Sequence, residues 1–340
     1  MLRLRKIVTG FLVVALAVTM CSCTKPENKV VKSDPKIIFV TDVGGLGDGT
    51  FNDSIWNACE NAADKYSVDI RCLESKTDSD IKTNIDEASN EEPSLVVACG
   101  ATAAKVIKGM SKDYPDVNYT LVDNYLERDN VSGIVFKEQE GSFLAGVAAA
   151  MKTETNTVGF IGGKKIASIQ RFYYGYLAGV KSVDENVKVV RTYTGSFNNK
   201  VDGMKAAKLE YAKGADVIFA AAGYDGTGVI KYAGLKNFSV IGVDKDQSSL
   251  DKEHVLCSMT KNINDAVCSE IRDASKDKFK AGEKVYTLKK NGLELSDKAG
   301  NLTQDMKTAI SKWSQAIKSG QFTVPYSKST YASFKIPKLK

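Results

Sequence analysis

The chain has 340 residues, of which 47 are Lys or Arg, 41 are Asp or Glu and one is His, giving a formal net charge of +6 at pH 7. Half of that excess comes from Arg3, Arg5 and Lys6, and the body of the chain shows no basic block. A nucleic-acid-binding surface, which requires such a block, is therefore not predicted. Because His254 is the only histidine, the composition also argues against His-based acid–base catalysis and His metal clusters.

The N-terminus has the organisation of a bacterial leader. Its basic start is followed by an apolar run at 7–18 and then by two cysteines, Cys21 and Cys23. The run is too short to cross a bilayer, but it has the length of the apolar region of a signal peptide. The sequence therefore predicts an exported protein.

The position of the second cysteine favours a lipoprotein. Small Ser22 precedes Cys23, as a signal peptidase requires, whereas the larger Met20 precedes the first cysteine. We predict a signal peptide at 1–22, a lipid anchor on Cys23 and a flexible polar tether at 23–35, so that the protein is attached to the cell membrane on its extracytoplasmic face. A secreted protein with an ordinary cleavage site and two idle thiols is the alternative.

From residue 36 onward, short apolar runs alternate with stretches of helical periodicity. Continuous apolar runs are typical of parallel strands that helices cover on both faces. A first series predicts strands at 37–41, 68–73, 95–98 and 119–122, with helices at about 51–63, 78–89, 101–113 and 138–151. A second series predicts strands at 157–161, 187–190, 217–221 and 240–243, with helices at about 167–183, 199–213 and 226–235. The tail adds helices at about 263–276 and 304–318 and a strand at 285–288.

Two βα series of similar length predict an α/β fold with two lobes rather than one large sheet. We expect an N-terminal lobe formed by 36–153 plus about 261–282, and a C-terminal lobe formed by 154–260 plus about 283–340. Exported proteins of this kind close over a ligand by a hinge motion. The sequence thus predicts a ligand cleft between the lobes.

Polar residues follow several of the predicted strands. Asp42 follows the first strand and Asp123 the fourth, while Gly223 and Asp244 follow two strands of the second series. In open α/β sheets ligands collect at the carboxyl ends of the strands, so these residues are candidates for the site. Each Asp taken alone is equally consistent with a cap for the next helix.

Two phenylalanines lie in turns beyond strands, one in each series. Phe51 is followed by Asn52, and Phe197 by Asn198. Aromatic side chains placed in this way can stack on a flat ring from both sides, and a stacked base contributes about 1–3 kcal/mol. The glycine-rich turn at 44–49 does not match a dinucleotide fingerprint, and residues 162–165 do not match a phosphate loop.

Catalytic motifs are missing. The chain has no GxSxG elbow, HExxH helix or Ser-x-x-Lys set in a fitting context. The five cysteines beyond the anchor have no metal-like spacing, and one disulfide among them is possible; they are Cys59, Cys72, Cys99, Cys257 and Cys268. We therefore predict a binding protein that is not an enzyme and that uses no metal and no cofactor.

Motifs dispersed over about 290 residues now point to a family. They are FVTDVGGLGDGTFNDSIW at 39–56, VGFIGG at 158–163, IQRFYYGYLAGVK at 169–181, TYTGSFNN at 192–199, GADVIFAAAG at 214–223, IGVDKDQ at 241–247, SMTKNINDAV at 258–267 and SGQFTVP at 319–325. In this order they resemble the basic membrane protein (Bmp) family of bacterial lipoproteins, with its PnrA-like purine nucleoside receptors. The resemblance implies a type I periplasmic-binding-protein fold and the role of substrate-binding component of an ABC transporter.

The resemblance also implies residue roles. A purine would lie between Phe51 and Phe197, with the base edge held by Asn52 and Asp123 and the same wall lined by Asp42. The ribose would be held by Gly223, Asp244 and Lys261. The sequence departs from the common pattern at Leu46-Gly47 and Tyr224-Asp225, which leaves open whether guanosine, inosine or adenosine is preferred.

The implied partners are a purine nucleoside, an ABC transporter permease and, through the lipid, the membrane; a monomer is the norm for this fold. Alternatives remain. One is a receptor for a sugar or an autoinducer, since sugar sites also combine aromatic side chains with carboxylates. Another is a surface adhesin or antigen that kept the fold without transport.

Overall fold

The computed structural model describes residues 34–339. The predicted signal peptide, the anchor at Cys23 and nearly all of the tether lie outside the described residues. Among residues 34–339, no helix is long and apolar enough to cross a membrane.

The elements follow one another in a regular βα order up to β4. The first set is β1 (Lys36–Val40), α1 (Phe51–Tyr66), β2 (Asp69–Leu73), α2 (Asp78–Asn90), β3 (Leu95–Cys99), α3 (Gly100–Asp113), β4 (Tyr119–Val122), β5 (Val131–Phe136) and α4 (Glu138–Lys152). The second set is β6 (Thr157–Gly162), α5 (Ala167–Val183), β7 (Lys188–Tyr193), α6 (Lys200–Tyr211), β8 (Val217–Ala221), α7 (Tyr224–Lys236), β9 (Ser239–Asp244) and β10 (Val255–Lys261). The tail forms α8 (Ile263–Ser275), β11 (Gly282–Tyr286), β12 (Leu293–Ser296), α9 (Gln304–Lys318) and α10 (Lys328–Ala332).

The strands form two six-stranded sheets of matching order. One sheet runs β11-β5-β4-β3-β1-β2 and the other β12-β10-β9-β8-β6-β7. All pairings are parallel except β10 with β12, which is antiparallel. The central strands β3 and β8 are buried along their whole length, in agreement with their continuous apolar sequences. The predicted α/β architecture with two mostly parallel sheets is confirmed.

Three crossings connect the two sheets, and two of them lie away from the expected boundaries. The sequence assigned α4 to the first lobe, but α4 packs against β8, β10 and β12 of the second sheet. It also assigned residues from 283 onward to the second lobe, whereas β11 pairs with β5 in the first sheet. The crossings therefore lie at Lys137, at Asn262 and at 287–292.

Backbone hydrogen bonds tie the three crossings together. The Lys137 amide donates to the Tyr286 carbonyl at 2.9 Å, and the Asn262 amide donates to the Gly292 carbonyl at 2.9 Å. The carboxylate of Glu140, on the first turn of α4, accepts a hydrogen bond from the Leu288 amide at 2.8 Å. The segments that join the lobes are thus one connected hinge.

Glycines allow the hinge helix α4 to approach α5 closely. A methyl group added at Gly146 would lie 2.2 Å from the Tyr176 carbonyl oxygen, and one at Gly179 would lie 2.0 Å from the Phe143 carbonyl oxygen. Since no larger residue fits without separating the backbones, this contact fixes α4 against the second lobe.

Candidate functional site

A cavity of about 590 Å³ opens between the carboxyl ends of the two sheets. Its volume lies in the range typical of small-molecule sites. All eight residues that the sequence singled out line it: Asp42, Phe51, Asn52, Asp123, Phe197, Gly223, Asp244 and Lys261. Topology explains this convergence, because parallel strands place their carboxyl ends along one edge.

The glycine-rich turn after β1 is organised by two carboxylates. Asp48 accepts hydrogen bonds from the backbone amides of Thr50 and Asn52, at 2.8 and 2.9 Å, and so caps the start of α1. Asp53 accepts from the amides of Gly47 and Gly49, at 2.7 and 2.9 Å. The turn is therefore held in one conformation at the mouth of the cavity.

The side chain of Asn52 is hydrogen-bonded to the turn that surrounds it. Its Nδ2 donates to Asp42 Oδ1 at 2.7 Å and to Asp48 Oδ2 at 3.0 Å, and its Oδ1 accepts from the Asp42 amide at 3.1 Å. The side chain is buried, and the Cys99 thiol, 3.6 Å away, also donates to its oxygen. Asn52 also lines the cavity, and its contact with a base edge stays a prediction. Asn52 orients Asp42, whose Oδ2 has no hydrogen bond from residues 34–339.

Asp123 and Asp244 occupy matching places in the two lobes, at the ends of β4 and β9. Both have left-handed backbone conformations, with φ of 63° and 66°. Such conformations cost free energy in residues other than glycine and are concentrated at functional sites. In each carboxylate Oδ1 is buried without a hydrogen-bond partner among the described residues.

Lys261, the last residue of β10, lies between these two aspartates. Its Nζ donates to Asp123 Oδ2 at 2.5 Å and lies 3.6 Å from Asp244 Oδ1. Its side chain is 1% exposed. Burial alone would lower the pKa of this ammonium, but Asp123, Asp244 and Glu138 outweigh burial and raise it. Lys261 is therefore charged over the physiological range.

The Asp244 carboxyl has the opposite environment. Burial raises its pKa to about 6 despite the attraction of Lys261, and repulsion from Asp123 and Asp48 acts in the same direction as burial. Burial likewise raises the pKa of Asp42, opposed by its hydrogen bonds from Asn52 and Gly44. Both carboxylates would gain from a ligand that donates hydrogen bonds.

The sequence did not single out Glu138 and Arg171, which form an ion pair beneath Lys261. Arg171 Nε and Nη2 donate to the two oxygens of Glu138 at 2.5 and 3.1 Å, and Glu138 Oε1 lies 3.6 Å from Lys261 Nζ. Glu138 is fully buried. A glutamate just after an apolar VSGIVF run was the available signal, but that run was not recognised as strand β5.

The two phenylalanines belong to different lobes. Phe51 is the first residue of α1, and Phe197 lies in the loop between β7 and α6. A methyl group added at Gly163 would lie 2.1 Å from the Phe197 ring, so this glycine provides the seat of the ring. Asp225 fixes the same loop by accepting from Ser196 Oγ at 2.7 Å and the Asn199 amide at 2.6 Å. Asp225, at one of the positions where the sequence departs from the common family pattern, thus holds the loop that carries Phe197.

Among residues 34–339, no group of three or more His, Cys, Asp or Glu side chains could hold a metal ion. The five cysteines beyond the predicted anchor have free thiols.

Residues 36–328 match the Bmp family, described as ABC transporter substrate-binding protein PnrA-like. The chain belongs to this family. The nucleoside-binding protein BmpA of an ABC transporter in Lactococcus lactis subsp. cremoris is 36% identical over 319 residues, which cover 87% of this chain and 90% of that protein. A CD4+ T-cell-stimulating antigen of Listeria innocua is 33% identical, covering 92% of this chain and 96% of that protein.

A solute-binding protein of an ABC transporter system from Aeropyrum pernix K1 has a similar solved structure. The TM-score is 0.79 at 26% sequence identity, and the alignment covers 88% of this chain and 96% of that one. Together with the two mostly parallel sheets, this likeness confirms the type I periplasmic-binding-protein fold. The Bmp-family chain is thus a substrate-binding protein of an ABC transporter.

Proposed function

We propose that this protein binds a purine nucleoside (guanosine, inosine or adenosine) in the cleft and delivers it to the permease of an ABC transporter. The observation that carries the proposal is that one cavity is lined by an aromatic side chain from each lobe and by the Asp123–Lys261–Asp244 group. The name of the Lactococcus relative, a nucleoside-binding protein, supports the same ligand class.

The aromatic pair supports a flat ring system. Phe51 and Phe197 line the cavity from the first and the second lobe, and both are only partly buried in the protein. Their remaining apolar surface would be covered by a stacked purine, which contributes about 1–3 kcal/mol per base. A simple sugar would cover less of both rings.

The polar lining supports a neutral ligand rich in donors. More acidic than basic side chains line the cavity: Asp42, Asp48, Asp78, Asp123, Asp244 and Glu283 against Lys105, Lys164, Arg171 and Lys261. Ring N–H groups and ribose hydroxyls can donate to free carboxylate oxygens, whereas a phosphate would add negative charge. In this proposal Asp42 meets the base, and Gly223, Asp244 and Lys261 hold the ribose. Asp123, which the family resemblance places at the base edge, accepts a hydrogen bond from Lys261, the same lysine that would hold the ribose.

The two lobes touch at the rim of the cavity. Asn198 Nδ2 donates to the Val43 carbonyl at 3.2 Å, and Lys245 Nζ lies 3.9 Å from Asp53 Oδ2. The first contact joins the loop before α6 to the loop before α1. The second joins Lys245, the residue after β9, to the first turn of α1. A bound nucleoside would be enclosed between the lobes, and their separation would release it to the permease.

In this proposal the mature protein is a monomer, anchored through lipid on Cys23 to the extracytoplasmic face of the cell membrane, and it leaves its ligand chemically unchanged. One lobe comprises residues 36–136 and 262–286. The other comprises residues 138–261 and the remainder of the tail.

The proposal is tested by calorimetric titration of the purified protein with guanosine, inosine, adenosine, cytidine and ribose. We expect heat and saturable binding for at least one purine nucleoside and weaker binding of cytidine. Binding of ribose without binding of any nucleoside would replace the proposal with a sugar receptor. Binding of none of the five would favour an adhesin or antigen that has kept the fold.

A further inference from the structure

Glu138 is not part of the cavity wall, yet it reaches the site through Lys261. It is the first residue of α4, directly after the first crossing between the sheets, and it is fully buried. Lys261 is the last residue of β10, directly before the second crossing. The contact between Glu138 Oε1 and Lys261 Nζ, at 3.6 Å, therefore connects two hinge segments across the base of the cleft.

Arg171 makes the buried charge of Glu138 possible. It contacts both carboxylate oxygens from α5, at 2.5 and 3.1 Å, and its own side chain is mostly buried. A bidentate pair of this kind is strong and directional, so it fixes where the carboxylate lies. Glu138 is thus a fixed negative charge on the hinge side of Lys261.

Lys261 is attracted from three directions. Its Nζ bonds Asp123 at 2.5 Å and lies 3.6 Å from both Asp244 and Glu138. The rings of Phe51, Phe136 and Phe172, with centroids 5.1–5.4 Å from Nζ, surround the rest of the ammonium. Because these rings leave little room for water, the position of Nζ is set by the balance among the three carboxylates.

That balance determines which carboxylate oxygens a ligand can use. The distance of 3.6 Å between Nζ and Asp244 Oδ1 is too long for a hydrogen bond, and Asp244 Oδ1 and Asp123 Oδ1 are both unpartnered. Without the charge of Glu138, only the bond to Asp123 would oppose a shift of Nζ toward Asp244, where it would occupy the free oxygen.

We propose that Glu138 is the positioning residue for Lys261, holding its ammonium back from Asp244 so that the aspartate oxygens accept hydroxyl groups of the ligand. The inference rests on the proposed nucleoside function and deepens it. It predicts that Glu138 affects recognition of the sugar and not of the base.

The test compares inosine with hypoxanthine, its free base, in calorimetric titrations of the wild type and of Glu138→Gln. Glutamine keeps the shape of the side chain and removes its charge. We expect inosine binding to weaken by about tenfold or more, the size of one hydrogen bond to a charged group, while hypoxanthine binding stays at the wild-type value.

A second measurement follows inosine affinity against pH. The pKa of Asp244 is set by burial, by Lys261 and by the carboxylates of Asp123 and Asp48 that face it. With the charge of Glu138 removed and Lys261 nearer, Asp244 ionises more readily. The loss of inosine affinity at low pH should therefore move to a lower pH in Glu138→Gln.

Two further variants complete the design. Glu138→Asp keeps the charge and should retain the wild-type pH midpoint with a smaller loss of affinity, and it serves as the main variant if Glu138→Gln does not fold. Glu270→Gln is the matched control, because Glu270 is also fully buried and ion-paired, but its partner is Lys284, at 2.5 Å, and not Lys261. It should leave inosine binding unchanged.

The outcomes separate the two claims. If wild-type protein binds no nucleoside, the proposed function fails and the role of Glu138 fails with it. If the wild type binds inosine but the Glu138 variants match it, or lose inosine and hypoxanthine equally with no change of pH midpoint, only the role of Glu138 is overturned.

Discussion

The two lobes are built on the same strand order but present different chemistry to the cleft. After β1, the first lobe has Asp42, a glycine-rich turn and Asn52, all linked by hydrogen bonds. In the second lobe the matching strand β6 ends at Gly162, and only Gly163 separates it from Lys164. The space that side chains would fill at Gly163 is taken by the Phe197 ring.

This difference shows how one fold can divide the recognition of a ligand. The turn of the first lobe holds oriented carboxylates, which suit the polar edge of a ligand. The turn of the second lobe has glycines, which leave room for the Phe197 ring. The lobes agree at one place, where Asp123 and Asp244 end matching strands with the same left-handed backbone. Lys261 lies between them, so the two matching aspartates share one cation, which comes from the second lobe.

The largest effect is expected from removing that cation. Lys261→Met would leave Asp123, Asp244 and Glu138 close together with Arg171 as their remaining basic partner, and breaking a buried ion pair costs about 3–5 kcal/mol. We expect a loss of this size in the free energy of unfolding, measured by urea denaturation. Lys205→Met, which breaks an exposed pair with Asp202, is the control and should change stability little. Equal effects of the two variants would mean that Lys261 does not neutralise the matching aspartates.

The second prediction uses the raised pKa of Asp244, about 6 in the folded protein. Because the folded state holds this proton more tightly than the unfolded state, the contribution of Asp244 to stability is present below pH about 4 and is lost as pH rises through about 6. The wild type should therefore lose up to about 3 kcal/mol relative to Asp244→Asn over this interval. Urea denaturation of both proteins at several pH values measures the difference.

Asp80 of the first lobe, which is only partly buried, supplies the contrast to Asp244. Hydrogen bonds from the Lys76 amide and the Thr77 side chain lower the pKa of its carboxyl. Its contribution is therefore present above the unfolded pKa and is lost as pH falls, so the difference between wild type and Asp80→Asn should have the opposite slope. Slopes of the same sign would contradict the assignment of a raised pKa to Asp244.

Much of the fold could be predicted because its strands are buried on both faces. The runs at 37–41, 95–98 and 217–221 are continuously apolar, and the structure has strands there. The sequence missed β5, β10 and β12. β5 contains Gly133, required because a side chain there would meet Asn124 and Tyr125, and β10 mixes polar residues into its sequence VLCSMTK. The boundary at Lys137 was missed for the same reason, since that crossing directly follows β5.

The cavity lining was predicted more completely than its internal bonding. All eight residues converge because strand ends can be located from apolar runs and family motifs. Sequence gives no hydrogen-bond partners, however, so Asn52 could not be recognised as the residue that orients Asp42. Glu138 and Arg171 meet only because α4 packs on the second lobe through glycine contacts that depend on the three-dimensional fold.

The third prediction tests whether the aromatic side chain of the second lobe stacks on the ligand. Phe197→Ala should weaken purine nucleoside binding by about 1–3 kcal/mol, because one stacking face is lost. Calorimetry measures the change, and Tyr326→Ala, an exposed aromatic residue that does not line the cavity, is the control. Gly163→Ala should weaken binding in the same direction by displacing the ring, whereas Gly109→Ala, with open space around its Cβ, should not. Unchanged affinity in Phe197→Ala would remove the second lobe's aromatic face from the site.

The smallest effect on stability is expected in the polar turn of the first lobe, where Asp48 caps α1. Asp48→Ala removes the acceptor for the Thr50 and Asn52 amides, which costs about 0.5–2 kcal/mol of stability for a helix cap. Thr303→Ala removes the cap of α9, which accepts from the Met306 amide at 3.3 Å and does not line the cavity. Both variants should lose stability to a similar degree.

Binding separates these two caps. Asp48 also accepts from Asn52 Nδ2, and Asn52 in turn orients Asp42, so Asp48→Ala should weaken nucleoside binding as well as stability. Thr303→Ala should leave binding at the wild-type level. Because the second lobe has no carboxylate at its matching turn, a loss of binding confined to Asp48→Ala would show that the polar turn recognises the ligand. If Asp48→Ala lowers stability alone, the turn serves only to begin α1, and recognition of the base must come from the other residues of the cleft.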